Sequence, residues 1–568
     1  MVVQPTQVQR QPRDIGCCLI FFVVVSASFG ALSYAYQKGN PHDFLGLQDS
    51  SGQKCGVDVA VKMQPYLFIC PDQQSEFSSQ ATKVCVDSCP ASDMAPSYCS
   101  TGYATKASFS LVCVPTPESN FWQKLDASSF KAVVTLSYYL NQIVNAWVLL
   151  FLITPLLSFG FGLLFLRAMR MTARYFFWPS LSTVVLGFAI IGIYLLQKHF
   201  SDGEDASSRD MVNGIICLSL AAVTLLVILS SRRSIVGSFF YLEASGECLT
   251  DSVIMMLQPI FECFKKVLLA LIFLFGLASL LSCRGKMENA LLYGMALFVL
   301  LTFIWFAEIM GTLSRYVTGY LSEEWFFSTY DSSRNQKLVP PQSFAEAYRT
   351  ALQYSWGSLC FGALANMALK PIRVVLRFIM LLTKSCGICS QVRRFYKQIV
   401  SYGDSAYLAI ALEGHGYRVA CSEAAEILGN ESVQEITWLD DVLLEMQILG
   451  SCAISFWVTF AVWICISILP DFKNPYSDRY LADQEVVLVP AFLVSQLCIW
   501  PFMESISQVA DALVFSYRAG SGGYLGIGAM VSERTGLFQV DCVGGPQGFT
   551  PFTHHPPKLT QMLVYLNE

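Results

Sequence analysis

The sequence predicts an all-α polytopic membrane protein of about ten transmembrane helices, with a disulfide-rich extracellular loop between helices 1 and 2. Three observations predict it. Only 14% of the 568 residues are charged, against about 25% in soluble domains, and 54% are hydrophobic. Apolar runs long enough to cross a hydrocarbon core of ~30 Å recur from Ile15 to Tyr517. Six cysteines, Cys55, Cys70, Cys85, Cys89, Cys99 and Cys113, crowd the polar segment after the first run.

The same composition removes several function classes. A net charge of -5 gives no basic patch for nucleic acid. No Walker GxxxxGK[ST] loop marks an ATP motor, and no GxSxG elbow marks a hydrolase. The five histidines, His42, His199, His415, His554 and His555, show no metal-ligand spacing. The sequence is therefore read as a non-enzyme with no cofactor, no metal and no catalytic residue.

Residues 1–14 are polar and carry Arg10 and Arg13 before the apolar run Ile15–Tyr36, which places them in the cytoplasm. The run 15–36 is the first transmembrane helix. It is longer than the core of a cleaved signal peptide and is read as retained. Residues 37–131 then lie outside. An even set of cysteines in an oxidising compartment predicts three disulfides, with 15 pairings open. So small a domain needs such staples.

Residues 132–517 form the helical bundle. Tyr139–Leu166 leads to a basic turn, Arg167, Arg170 and Arg174, which belongs inside. Tyr175–Gln197 returns to an acidic loop, and Met211–Ser230 ends at Arg232 and Arg233. Ser234–Glu247 is either an interfacial helix or the buried start of the next span. Ser252–Ser282 contains Pro259 together with Glu262, Lys265 and Lys266, so it kinks or turns its charges to a wet cavity. Asn289–Ser314 is the sixth span, Arg315–Gln342 a loop and Thr350–Leu369 the seventh span. The rules then collide. Counting puts the basic segment after Lys370 outside, while its charge puts it inside, so one crossing between Ser252 and Val400 is missing or spurious. Ala406–Glu413 is read as a weak eighth span or an amphipathic surface helix. Gln447–Pro470 and Val486–Tyr517 complete the set. Residues 518–568, rich in Gly and Pro, form a cytoplasmic tail of little order.

Within the bundle, Glu308 stands out. A carboxylate in mid-span must face protein, water or a cation. Trp305 lies one helical turn before it on the same face. Ser355, Gly357, Ser358 and Gly362 make a small-residue surface for close helix contact.

Family motifs run through the chain. They begin with Arg13-Asp14-Ile15-x-Cys17-Cys18, Asp49-x-x-Gly52-x-x-Cys55-Gly56 and Cys85-Val86-x-x-Cys89-Pro90. They continue with Glu243-Ala244-Ser245, Gly357-Ser358-Leu359-x-Phe361-Gly362, Ala406-Tyr407-x-x-Ile410-Ala411-x-x-Gly414 and Val509-x-Asp511. On these residues the chain resembles the choline transporter-like protein family of solute carriers. The resemblance implies about ten helices, cytoplasmic termini, a plasma-membrane setting and facilitated transport of choline or a related amine. The loop after the fifth span is only a few residues here, short for the family. Relatives also differ in cargo, which includes ethanolamine and thiamine pyrophosphate. The rival reading is a membrane-anchored binding or adhesion protein using the cysteine-rich loop. The implied substrate is a quaternary ammonium, recognised by ring faces and diffuse negative charge. The candidate cage takes rings from Trp305, Tyr354 and Trp356 and charge from Glu243 and Glu308. The expected partners are choline or a related amine and the lipid bilayer.

Overall fold

The computed structural model describes most of residues 8–519, apart chiefly from 40–46, 71–82, 92–98, 100–102, 108–110, 116–129, 202–207, 284–286, 332–335, 383–402 and 429–432. The Cys386 and Cys389 pair, most of the acidic loop after Ser201 and the Gly- and Pro-rich tail lie outside the described residues.

The described residues are mainly helical, with three two-stranded sheets among them. Among the described residues, eight helical segments are long and apolar enough to cross a membrane. The first is α1, Ile15–Lys38. After α2, Phe130–Asn145, come Leu149–Arg170 and Trp178–Ser201, both within helical structure that runs through α3, Thr154–Ser201. Ser158 donates to Ser495 at 3.1 Å, and Ser495 to Ser455 at 3.2 Å. A Cβ on Gly187 would meet the ring of the next residue, Phe456. Residues 158 and 187 thus lie at one depth, and α3 doubles back at the basic turn between them.

Then follow α4, Ser208–Ser230; α5, Arg232–Asp251; α6, Val253–Leu281; and α7, Asn289–Phe327. A short α8, Ser343–Thr350, leads through a π turn into α9, Trp356–Leu382. Two short helices, α10, Ser405–Glu413, and α11, Tyr417–Leu428, precede α12, Val433–Ile468, and α13, Gln484–Arg518. Two helices organise the packing. α13 touches α3, α5, α6, α7 and α12, and α7 touches α1, α6, α9, α10 and α13.

Three segments differ from the sequence reading. α7 continues past Ser314 to Phe327, although Arg315–Gln342 reads as a loop, because neighbouring elements bury nearly every residue of this polar extension. α9 is not among the eight spanning segments; Asn366, Lys370 and Arg373 interrupt its apolar character. α10 is neither a span nor a surface helix: Ala406–Leu412 are all buried against α7.

Contacts at the two ends test the expected sides. Asp14 at the start of α1 meets Ser358 and Tyr417, and the Arg13 amide donates to the Tyr354 carbonyl at 3.3 Å. At the other end the Cys283 thiol, after α6, lies 3.9 Å from the Ala35 carbonyl of α1. There too Tyr138 of α2 donates to Asp483, just before α13, at 3.0 Å. The start of α9 and the last turn of α10 therefore both lie at the end that holds Arg10 and Asp14.

Between α1 and α2 the outer domain pairs β1, Tyr66–Ile69, with β2, Lys83–Val86, and β3, Thr105–Ala107, with β4, Cys113–Pro115. Its disulfides are Cys55–Cys85, Cys70–Cys99 and Cys89–Cys113, closing sequence separations of 30, 29 and 24. Its core is two small clusters, Phe68, Ile69, Val86 and Tyr103 around the Cys70–Cys99 and Cys89–Cys113 sulfurs, and Val61 and Leu67 beside Cys55–Cys85. Losing one bridge from such a domain costs about 2–5 kcal/mol. Cys70→Ser with Cys99→Ser is expected to open the domain to trypsin at Lys83 and Lys106 while the bundle keeps its helical spectrum. Unchanged proteolysis would show that the core holds without that bridge.

Candidate functional site

Charged side chains meet near the middle of the bundle. Pro259 in α6 and Pro501 in α13 interrupt backbone hydrogen bonding close to them. Lys266 of α6 lies 3.0 Å from Glu504 of α13, whose other oxygen accepts from Gln508 at 3.3 Å. One turn away Glu262, almost fully buried, pairs with Lys265 and accepts from Gln258 at 3.2 Å. Gln258 and Lys265 both reach the Tyr348 hydroxyl, at 3.2 and 3.4 Å. The charged turn of α6 thus faces protein partners, as a hydrocarbon setting demands.

The residues nominated from sequence fall in distinct places. Trp305 of α7 is 6% exposed and donates its indole N–H to the Cys360 carbonyl at 3.2 Å. Phe21 of α1 sits edge-on to Trp305 at 5.3 Å and to Trp356 at 6.1 Å. The structure therefore gathers Trp305 and Trp356 around a ring from α1. The Trp356 indole nitrogen is buried and meets no acceptor among the described residues. Glu308, one turn beyond Trp305, forms an ion pair with Lys370 of α9; the side chains are 22% and 58% exposed. Tyr354 is half-buried, and its carbonyl holds the Arg13 amide. Glu243 lies on α5, where Leu242 and Ala244 join the main core rather than the Trp305 cluster.

The end bearing Arg10 is closed by the segment before α1. Asp14 takes φ 53, and its carboxylate accepts from the Ser358 hydroxyl at 2.7 Å and the Tyr417 amide at 3.0 Å. Only glycine fits at 357, because a Cβ there would lie 2.4 Å from the Asp14 carbonyl oxygen. Arg10 reaches deeper, to the Tyr316 hydroxyl at 2.9 Å and the carbonyls of Ile410 and Ala411. Gly414, at φ +73, turns the chain out of α10 beside the Arg10 side chain.

Residues 215–519 match the family described as plasma-membrane choline transporter. The chain belongs to that family. The matched part of this choline transporter family member runs from within α4 to the end of α13 and contains Lys266, Glu308, Lys370 and Glu504. Two curated relatives agree with the assignment. Choline transporter-like 2 of Anopheles gambiae is 34% identical over 91 residues, 15% of this chain and 12% of that protein. Choline transporter-like protein 2 of Danio rerio is 33% identical over 88 residues, 14% of this chain and 12% of that protein. The chain thus spans about an eighth of the length of either relative. Family membership and the eight helices make this a multi-pass membrane protein of a plasma-membrane family.

Sequence reasoning in this family member missed the partners more than the players. In sequence Lys370 closes the seventh span and Lys266 belongs to a charged turn; neither position announces which acid answers it. The histidines show no metal-ligand spacing in sequence, yet His415 lies 3.2 Å from Glu413 and 2.7 Å from Glu423. The three present ligand atoms within 4.8 Å of one another, a group of a size that can hold a metal ion. Burial, and then the neighbouring Glu423 carboxylate, raise the Glu413 carboxyl above its ordinary range. The signal available was Glu-Gly-His in a loop between two short helices, with an acid eight residues on.

Proposed function

We propose that this protein carries choline or a related small organic cation across the membrane by alternating access, without ATP. The observation that carries the reading is Glu308. It lies near the middle of a spanning helix, one turn from Trp305, and its counter-ion is a half-exposed lysine from another helix. A lysine held at the surface of the pair can be exchanged for a substrate ammonium, whereas a sealed pair cannot. The rings of Trp305, Phe21 and Trp356 supply π faces nearby, each worth about 0.5–2 kcal/mol to a cation. Asp14 and Arg10 close the end assigned to the cytoplasm, as alternating access requires of one of its states. Tyr354 and Glu243 are proposed as accessory contacts, reached as the helices shift.

Purified protein in liposomes is expected to accumulate labelled choline. Glu308→Gln and Trp305→Ala are each expected to lower uptake about tenfold or more at equal protein content per liposome. Unlabelled choline and ethanolamine should compete, and thiamine pyrophosphate should not. Normal uptake by both variants would remove this placement of the site, and competition by the pyrophosphate alone would replace the substrate.

A further inference from the structure

Three ligand-type side chains meet where α10 turns into α11. Glu413 is the last residue of α10, His415 lies in the turn and Glu423 lies in the second turn of α11. The His415 Nδ1 atom is 3.2 Å from a Glu413 oxygen and 2.7 Å from a Glu423 oxygen. All three ligand atoms lie within 4.8 Å of one another. Gly414 makes the meeting possible. At φ +73 it reverses the chain between Glu413 and His415, a conformation that side chains disfavour.

The cluster is not a solvated acidic face. The side chains of Glu413, His415 and Glu423 are 24%, 41% and 14% exposed. The His415 Nδ1 atom and the other Glu423 oxygen are buried and make no hydrogen bond among the described residues. Two carboxylates this close repel unless positive charge lies between them. Around a tetrahedral ion with metal bonds of about 2.0–2.1 Å, ligand atoms stand about 3.3 Å apart. The separations of 2.7 and 3.2 Å here need only small side-chain shifts to meet that spacing. An imidazole with two carboxylates suits zinc or a similar divalent transition metal, whereas calcium and magnesium take oxygen ligands.

The same turn supports the segment before α1. Asp14 accepts from the Tyr417 amide at 3.0 Å, and a Cβ on Gly416 would lie 3.2 Å from its carboxylate. A Cβ on Gly414 would lie 3.2 Å from the Arg10 side chain. Arg10 also donates to the Ile410 carbonyl at 3.2 Å, one turn before Glu413 in α10.

We propose that Glu413, His415 and Glu423 form a site for a divalent transition-metal ion of the zinc type, and that the bound ion stiffens the turn on which the segment before α1 rests. Glu413 of α10 and Glu423 of α11 then share one ion, which fixes the angle between the two helices. Three protein ligands leave the fourth position to water. The site is separate from Glu308 and does not depend on what the protein transports.

The test uses the full chain in nanodiscs, freed of any affinity tag, stripped with a chelator and titrated with zinc chloride against a zinc-sensitive dye. Cys386→Ser, Cys389→Ser, His554→Ala and His555→Ala form the background, because thiols and histidines elsewhere bind zinc themselves. About one zinc per chain is expected to bind. Glu413→Gln, His415→Ala and Glu423→Gln should each weaken binding about tenfold or more, since even a partner outside the ligand set is worth that much. His199→Ala should leave binding unchanged. Zinc should raise the thermal midpoint of the background chain and not of the three ligand variants, which separates lost binding from lost folding. Trypsin cleavage after Arg10 reads the turn. It should slow with zinc in the background chain and ignore zinc in Glu423→Gln. Zinc bound equally by all the chains, or by none, would overturn the site. Tighter binding of magnesium or calcium would overturn the transition-metal assignment. Bound zinc that leaves cleavage after Arg10 unchanged would overturn its hold on the segment.

Discussion

Lys266→Met alone is expected to lower the thermal midpoint of the purified protein sharply, and Lys266→Met with Glu504→Met to recover most of the loss. The two side chains meet at 3.0 Å near the middle of α6 and α13. Removing one leaves a charge in a low-dielectric interior, which for a buried pair costs on the order of 3–5 kcal/mol. Lys266 keeps 36% of its side-chain surface open and Glu504 20%, so the lower end of that range applies. Replacing both by apolar groups of similar volume removes the stranded charge and is often close to neutral. The pair of variants separates scaffold from machinery. Double Met protein that is stable but fails to take up choline gives the ion pair a transport role. Recovered stability with normal uptake restricts it to packing. A double variant no more stable than Lys266→Met would show that the charges are not each other's main compensation.

Gly357→Ala is expected to cost about 2–4 kcal/mol and to loosen the segment before α1, through overpacking and the lost bonds to Asp14. The added Cβ would lie 2.4 and 2.5 Å from the carbonyl oxygens of Asp14 and Arg13, both backbone atoms with little freedom to yield. Moving them breaks the contacts of Asp14 with Ser358 and Tyr417 and of Arg13 with Tyr354. Gly311→Ala is the control. It stands in α7 with nothing within 4 Å of the new atom, and alanine is the better helix former by about 1 kcal/mol. Thermal unfolding and maleimide labelling of a cysteine placed at position 12 would report the difference. Equal midpoints and equal labelling in the two variants would mean that the close approach at 357 is not what holds the inner end shut.

Much of this protein was legible in the order of its residues. The apolar runs located each of the eight spanning segments among the described residues, because the free energy of moving a side chain into hydrocarbon is a local quantity that sums along a stretch of chain. Arg10, Arg13, Arg167 and Arg170 give the expected sides, because moving a cation across the bilayer is costly wherever it sits. The cysteines announced a stapled outer domain, and Glu308 announced itself as an acid in need of an answer. The family assignment also rested on sequence motifs that the family match supports over residues 215–519.

Tertiary structure alone decided which residues answer one another. Lys266 and Glu504 are 238 positions apart, Glu308 and Lys370 62, and Arg10 and Ile410 400. Out of 15 pairings for six cysteines, the folded outer domain selects one. The same cause explains α10 and the polar end of α7. Each is too short or too polar to be placed by its own transfer free energy, and each is buried because distant helices and an N-terminal arginine close around it. Hydropathy is a property of a segment and pairing is a property of the assembled bundle, so the sequence set where the chain crosses and the fold set which charges, rings and sulfurs meet.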